Sequence, residues 1–504
     1  MSWGIPHPLA AAAARSPERV ALYTPSVTLS YAELRERVQT LAGWLQSRGI
    51  TAGQRVRLQG PATDLWVVAM HAISWLDACV VPTDAGNPDV PDAGWDWQLF
   101  ARSGRITLCD RAASVVAEYT SGGPQADAQL PAPAQWALAA ERVVICTSGS
   151  SGQPRAVPLS TAQLLFGAMG SALQLGHHLD DVWLCCLPLH HVGGLAILWR
   201  TAWAGTATWL APRFDAAQIS AWLDTEPITQ VSLVPTQLAD LLAARGARPL
   251  PERVRWILLG GAPCSRALFE RAQNLQTPIC LSWGMTETAA QVATAPPDAP
   301  GPPGSGVPPL PFAQIHTEQQ RLVVTGPQAA GGRSLTDDRG SVDAWGRVHV
   351  AGRADRIIVS GGKNIDPERS ERVLREHPAV VDACILPWPH RRWGQTQLAV
   401  VCAGPVAAGQ PPPIDAWCRE RLAAWHCPRH WVLVSELRRT RTGKLDAALR
   451  TDLARRLQTY FSQRAEKIGS EGHRPEGLQA DAGVYVLDAG AEAALGVLGL
   501  EAQS

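Results

Sequence analysis

The stretch Val143 to Pro158, VVICTSGSSGQPRAVP, carries the densest group of residues able to do chemistry. Val143 to Cys146 read as a short buried strand. Thr147-Ser148-Gly149-Ser150-Ser151-Gly152-Gln153-Pro154-Arg155 follows. Its glycines let the backbone turn tightly and approach a ligand. Its hydroxyls and N–H groups can donate to phosphate oxygens, and Arg155 adds positive charge. A Ser/Gly surface turn has the same composition, so the loop alone decides nothing. No G-x-x-x-x-G-K-S/T spacing occurs, which excludes a Walker loop.

Three more stretches carry candidate groups. In LCCLPLHHVGG (Leu184 to Gly194) an apolar strand ends in Pro188, two histidines and two glycines. Gly193 and Gly194 would leave room for a planar ligand. Taken alone, the stretch reads more readily as a strand-to-helix turn with solvent-facing histidines. The helix that follows, Leu195 to Arg200, is apolar except for Arg200. A cation on an apolar face is costly unless paired. Either Arg200 lies on the exposed side and snorkels, or it faces a pocket and grips a substrate carboxylate bidentately. Trp256 to Pro263 reads as a buried strand ending in Gly260-Gly261-Ala262.

These groups need a scaffold. Alternating strands and helices through residue 260 argue for a layered α/β fold. Ser30 with Glu33 forms a capping box, and Leu34, Val38, Leu41, Ala42 and Leu45 follow at helical spacing. Arg55 to Leu58 reads as a strand and Leu65 to Val81 as an apolar helix. Ser160, Ser265 and Asp366 read as N-caps, the last with Pro367 at the first helical position. Residues 120 to 138 read as a surface loop. After residue 465 the pattern becomes polar and Ala-rich, so 466–504 is expected to be a poorly ordered tail.

At 504 residues the chain is long enough for two or more domains. A hydrophobic fraction of 46% with 18% charged residues suits a large buried core. Lys+Arg and Asp+Glu both number 45, so charge favours neither nucleic acid nor an anionic membrane. No apolar run is long enough for a membrane span, and Met1-Ser2-Trp3-Gly4 lacks a basic signal region. The 11 cysteines form no C-x-x-C pair and the 13 histidines no H-E-x-x-H, so a zinc site is not expected. Scattered cysteines suit a reducing compartment, and the chain is expected to be cytoplasmic. The 20 tryptophans suggest no function.

The Thr147 to Arg155 loop resembles the phosphate-binding loop of the adenylate-forming superfamily, T/S-S-G-S/T-S/T-G-x-P-K, with Arg155 where Lys is usual. That superfamily includes acyl- and aryl-CoA ligases, luciferases and peptide-synthetase adenylation domains. Further matches follow in its order, over about residues 15 to 455. The resemblance implies a large N-terminal domain of α/β sheets (1–352), a hinge (353–357) and a smaller mobile α+β C-terminal domain (358–465). It implies ATP and coenzyme A as co-substrates and Mg²⁺ as cofactor.

The implied residue roles follow motif by motif. Gly260, Gly261 and Ala262 would lie against adenine. In Trp283-Gly284-Met285-Thr286-Glu287, Trp283 would stack near adenine, Thr286 would donate to the α-phosphate and Glu287 would bind Mg²⁺, a hard ion suited to carboxylate and phosphate oxygens. Thr336-Asp337-Asp338-Arg339-Gly340 aligns with T-G-D-x-G, so Asp338 would hold the ribose hydroxyls, while Asp337 replaces Gly and alters the turn, with ribose binding kept if the position tolerates a short Asx-type turn. Arg353 would also bind ribose, Asp355 would be the domain pivot, and Gly361-Gly362 would let the pantetheine arm pass. Lys444, in Thr442-Gly443-Lys444, would neutralise charge during adenylation. A basic surface turn would look the same. His191 would stand at the entrance to the acyl pocket.

LPLHHVGGLAILWR and Val231 to Leu238, with Thr236 at the pocket, resemble the corresponding stretches of 2-succinylbenzoate–CoA ligases of menaquinone and phylloquinone synthesis. Their aromatic substrate has a second carboxylate, which gives a pocket Arg200 a physical role. Another aryl- or acyl-CoA ligase, and an adenylation enzyme loading a carrier protein, remain alternatives.

Overall fold

The protein is described here by a computed structural model covering residues 4–84, 90–102, 104–121, 133–147, 155–390, 392–403, 414–437, 439, 445 and 449–459, with the backbone of 484–486. Local signals account for much of its helical structure. Ser30 caps the helix Tyr31–Ser47: its Oγ accepts from the Glu33 N–H, and Glu33 accepts from the Ser30 N–H at 2.7 Å. The five apolar positions expected on its inner face are all buried. Ser160 caps Thr161–Leu175, Ser265 caps Arg266–Asn274 and Asp366 caps Pro367–Arg375.

One expected helix is shorter. The apolar run from Leu65 forms the helix Asp64–Trp75, turns at Asp77 (φ 60°), and becomes the strand Cys79–Pro82. Both pieces are almost wholly buried, and periodicity cannot separate a buried helix from a buried parallel strand.

Two large sheets build the first domain. One has eight strands, in the order Ala290–Thr294, Ile279–Met285, Trp256–Leu259, Gln230–Leu233, Val182–Cys185, Ala207–Leu210, Val20–Tyr23 and Thr28–Ser30. Its six central strands are parallel, and the outer two pair antiparallel. The other has seven strands and ends on the hairpin Glu141–Thr147 with Arg155–Ser160. A four-stranded antiparallel sheet includes Arg333–Val342 and Val348–Arg353. Tryptophan fills the joints between these layers. Trp136 packs edge-on to Trp199 and Trp203, and Trp183 edge-on to Trp256.

The second domain follows the turn Ala354–Arg356. Its sheet is built on the antiparallel pair Val380–His390 and Gly394–Ala403, and His430–Val434 adds in parallel. Within the segment read as a tail, Val484–Val486 pairs in parallel with His430–Val434 and forms an edge strand that the local sequence did not suggest.

Candidate active site

Four of the candidate stretches follow four neighbouring parallel strands of the eight-stranded sheet. His191 and the glycines come after Val182–Cys185, and Thr236 comes after Gln230–Leu233. Gly260, Gly261 and Ala262 come after Trp256–Leu259, and Trp283 to Glu287 close Ile279–Met285. The loops beyond the carboxyl ends of parallel strands form the usual ligand crevice of such sheets. Four stretches scattered over a hundred residues therefore meet on one rim.

The two strands that flank the glycine loop belong to the other sheet. Thr147 and Arg155 are directly paired across the hairpin, and the Thr147 Oγ1 donates to the Arg155 carbonyl at 3.4 Å. Ser148, Gly149, Ser150, Ser151 and Gly152 lie outside the described residues. The Arg155–Ser160 strand packs against the turn Thr286–Thr288. Gln163, from the helix that follows this strand, donates its Nε2 to the Glu287 carbonyl at 2.8 Å. Gln163 was not read as a site residue. Its place three residues after the Ser160 cap was the available signal.

Glycine at 284 has a geometric cause. A Cβ there would lie 1.9 Å from the Ala290 carbonyl oxygen, across the bulged pairing of the two strands. Ala289 (φ 54°) and Ala290 (φ 90°) are both left-handed, so this hairpin stores strain beside Glu287. Glu287 is half-buried. Among the described residues no three His, Cys, Asp or Glu side chains gather as a metal cage. A lone carboxylate suits Mg²⁺, which keeps several waters and takes other ligands from substrate phosphates.

Trp283, Asp338 and Arg353 form one linked group. The Trp283 Nε1 donates to Asp338 Oδ2 at 2.7 Å. Arg353 lies 2.9 Å from Asp355, 3.4 Å from Asp337 and 3.5 Å from Asp338. Burial pushes the Asp338 carboxyl above its ordinary value, and the Trp283 N–H and Arg353 partly oppose this. Asp337 needs no Asx-type turn here. Residues Arg333–Val342 form an extended strand, a conformation any residue adopts, so Asp337 replaces Gly without backbone strain. Asp337 is instead held by Arg321 at 2.7 Å.

The acyl side is built on the helix Val192–Ala204. His191 is its exposed N-terminal residue and lies 4.4 Å from the His190 ring. The room expected at Gly194 is taken by protein. A Cβ there would lie 2.6 Å from the Pro188 carbonyl oxygen and 2.7 Å from that of Leu187. Gly193 is less confined, its nearest neighbour being Leu187 Cδ1 at 3.5 Å.

Arg200 lies nine residues beyond His191 along the helix, about 14 Å at 1.5 Å per residue. It is only 6% exposed, so it does not snorkel. Its guanidinium stands 5.5 Å from the Trp183 ring, and its Nη2 has no hydrogen-bond partner among the described residues. Burial pushes its pKa down to about 10. It faces a cavity of about 30 Å³, also lined by Ser171, Trp183, Thr206, Gln230 and Trp256. Gln230 and Trp256 begin their strands, so this cavity lies below the rim, toward the amino ends. Trp183 and Gln230 were not read as site residues, because nothing in a strand sequence marks which residue faces a cavity.

Gly361 and Gly362 form the tight turn between Ile358–Ser360 and Lys363–Ile365, beside Trp393. Asp355 lies in the turn between the domains. Lys444 lies outside the described residues.

The chain matches the AMP-binding enzyme family over residues 9–90 and 100–331, and the AMP-binding enzyme C-terminal domain over residues 370–444. It is 31% identical over 463 residues to a 2-succinylbenzoate–CoA ligase of Bacillus cereus (strain Q1), covering 85% of this chain and 95% of that protein. Its structure is similar to that of the o-succinylbenzoate CoA synthetase MenE from Bacillus subtilis in complex with the acyl-adenylate intermediate OSB-AMP (TM-score 0.76, 27% identity, 90% of this chain and 98% of that one). It is similarly close to the same enzyme in complex with ATP and magnesium ion (TM-score 0.75, 27% identity, 89% and 99%).

Proposed function

The chain belongs to the AMP-binding enzyme family, and from that premise we propose that it joins 2-succinylbenzoate to coenzyme A through an acyl-adenylate, releasing AMP and pyrophosphate. Arg200 is the observation that carries the choice of acid. A buried guanidinium without a carboxylate partner among the described residues is costly, and a substrate carboxylate reaching the cavity at its face would offset that cost. A fatty acid or benzoate would leave that charge unpaired. An aromatic acid with two carboxylates would meet Arg200 at the foot of the pocket and present its other carboxylate at the rim. His191, Gly193 and Thr236 would line the path between them.

In the first half-reaction the rim carboxylate attacks the α-phosphorus of ATP and pyrophosphate leaves. Trp283 and the Gly260 to Ala262 turn would receive adenine, and Asp338 with Arg353 would receive the ribose. Thr286, Thr147 and the loop residues Ser148 to Gly152 with Arg155 would hold phosphate oxygens, and Lys444 would offset charge developing there. Bound at Glu287, Mg²⁺ supplies charge neutralisation at the phosphates. Positioning and electrostatics account for the catalysis, since the protein forms no covalent bond. In the second half-reaction the CoA thiolate attacks the acyl carbonyl and AMP leaves. The pantetheine arm would pass Gly361-Gly362 once the second domain turns about Asp355. The enzyme would act in the cytoplasm, in menaquinone or phylloquinone synthesis.

The test is pyrophosphate release by the purified protein with ATP, Mg²⁺ and CoA, comparing 2-succinylbenzoate with benzoate and octanoate. Selective turnover of 2-succinylbenzoate, with AMP and thioester formed, is expected. Turnover of benzoate or octanoate alone would discard the Arg200 assignment.

A further inference from the structure

Glu371, on the helix Pro367–Arg375, is among the most buried charges of the second domain, and three guanidiniums converge on it. Arg356 Nη2 lies at 2.5 Å, Arg450 Nη1 at 2.9 Å and Arg375 Nη2 at 3.5 Å. The Ile385 N–H also donates to it, at 2.9 Å. Burial alone would raise its carboxyl, but the cations, Arg450 foremost, hold it far below the ordinary range. Glu371 is therefore a fixed anion.

Two of these arginines come from functional stretches of the chain. Arg356 follows the hinge residue Asp355. Arg450 stands at the start of the helix 449–459, beyond the end of the matched C-terminal region at residue 444. Arg450 makes a second contact that Arg356 and Arg375 do not: its Nε donates to the Leu445 carbonyl at 2.8 Å. Leu445 directly follows Lys444. A guanidinium presents its donors in a rigid planar fork, so one edge can hold the buried carboxylate while another holds the backbone. Lysine has a single nitrogen and cannot hold both in this way.

We propose that Arg450 is a positioning residue for adenylation, tying the backbone next to Lys444 to the buried Glu371 and so setting where that lysine is presented. The proposal rests on the reading of Lys444 as the adenylation lysine. It gives the second domain one internal anchor for both its hinge end and its lysine end. Arg375 supplies a matched control, since it pairs with Glu371 and makes no contact with Leu445.

The experiment uses the full chain and two assays, ATP–pyrophosphate exchange and thioester formation from preformed acyl-adenylate. Arg450→Lys should slow exchange by about 10- to 100-fold, the scale of a misplaced catalytic group, while thioester formation stays within about twofold. Arg375→Gln should leave the ratio of the two assays unchanged. In a Lys444→Ala background, Arg450→Lys should cause no further loss of exchange, as expected of two residues acting as one unit. A further tenfold loss in that background, or equal losses in both assays for Arg450→Lys and Arg375→Gln, would overturn the proposal. Exchange that is lost with Lys444→Ala but intact in Arg450→Lys overturns the proposal and leaves the lysine reading standing. Exchange that survives Lys444→Ala overturns both.

Discussion

Arg200 separates binding from stability at the scale of one residue. A charge-assisted hydrogen bond to a carboxylate contributes about 1.5–3 kcal/mol. Arg200→Gln should therefore raise KM for 2-succinylbenzoate by about 10- to 100-fold and leave KM for ATP nearly unchanged. It should also leave thermal stability level or slightly higher, since an unpaired buried charge is gone. A large fall in Tm would show that Arg200 has a structural partner, and weakened ATP binding would place it in another site. The two possibilities open in the sequence, snorkelling or pocket-facing, differ only in which side of the helix meets solvent. Neighbouring residues cannot decide that, because Leu195 to Trp199 are apolar all round. Asp337 is a similar case. The motif pattern left room for a turn, whereas Asp337 lies within the strand Arg333–Val342 and has no left-handed φ.

At the scale of elements, the joint between the first helix and the helix Asp64–Trp75 is set to titrate. His7, at the N-terminus of Pro8–Arg15, bonds through Nε2 to Ser74 Oγ at 3.0 Å and lies 5.6 Å from the His71 ring. Both histidines are buried. Burial lowers the His7 pKa, helped by His71 and Arg142, and takes His71 down to about 3. The unfolded chain binds these protons near pH 6.5 and the folded chain only at much lower pH. Stability is therefore full above about pH 6.5 and falls with pH toward the folded values, by up to about 1.4 kcal/mol per pH unit for each histidine. Thermal unfolding between pH 7 and pH 5 should show this slope, and His71→Gln should flatten it by about one proton. A slope unchanged in the variant would exclude His71 as its source. Capped helices were legible in advance, because Ser30 and Ser160 act on residues three positions away. The break between Trp75 and Cys79 was not, because a helix and a parallel strand that are both fully buried show the same unbroken apolar run.

For the whole molecule, the proposed rotation about Asp355 would decide which half-reaction proceeds. Asp355 sits in the connecting turn and also pairs with Arg353 at 2.9 Å. Across the joint, Arg339 lies 3.5 Å from Asp366, and the Arg353 N–H donates to Glu368 at 3.3 Å. On that reading, rotation of the second domain would break and remake such contacts. Asp355→Pro fixes φ near −65° at the pivot. It should cut thioester formation by about tenfold or more while ATP–pyrophosphate exchange falls only a few-fold, because Asp337 and Asp338 still hold Arg353. Equal losses in both assays would mean that Asp355 acts in the nucleotide site and not as a pivot.

By itself the sequence determined the family, the two-domain plan and the motifs, since each motif is a local run whose chemistry depends on residue type and spacing. The tertiary structure alone decided what those runs meet. Strand order brings His191, Thr236, Gly260 and Trp283 to one rim, and the close approach of the Ala290 carbonyl is what requires Gly284. Helix packing turns Arg200 into a cavity, and a single buried carboxylate joins Arg356 to Arg450 across almost a hundred residues. These are long-range contacts, set by which elements bury against one another, and no window along the chain contains them.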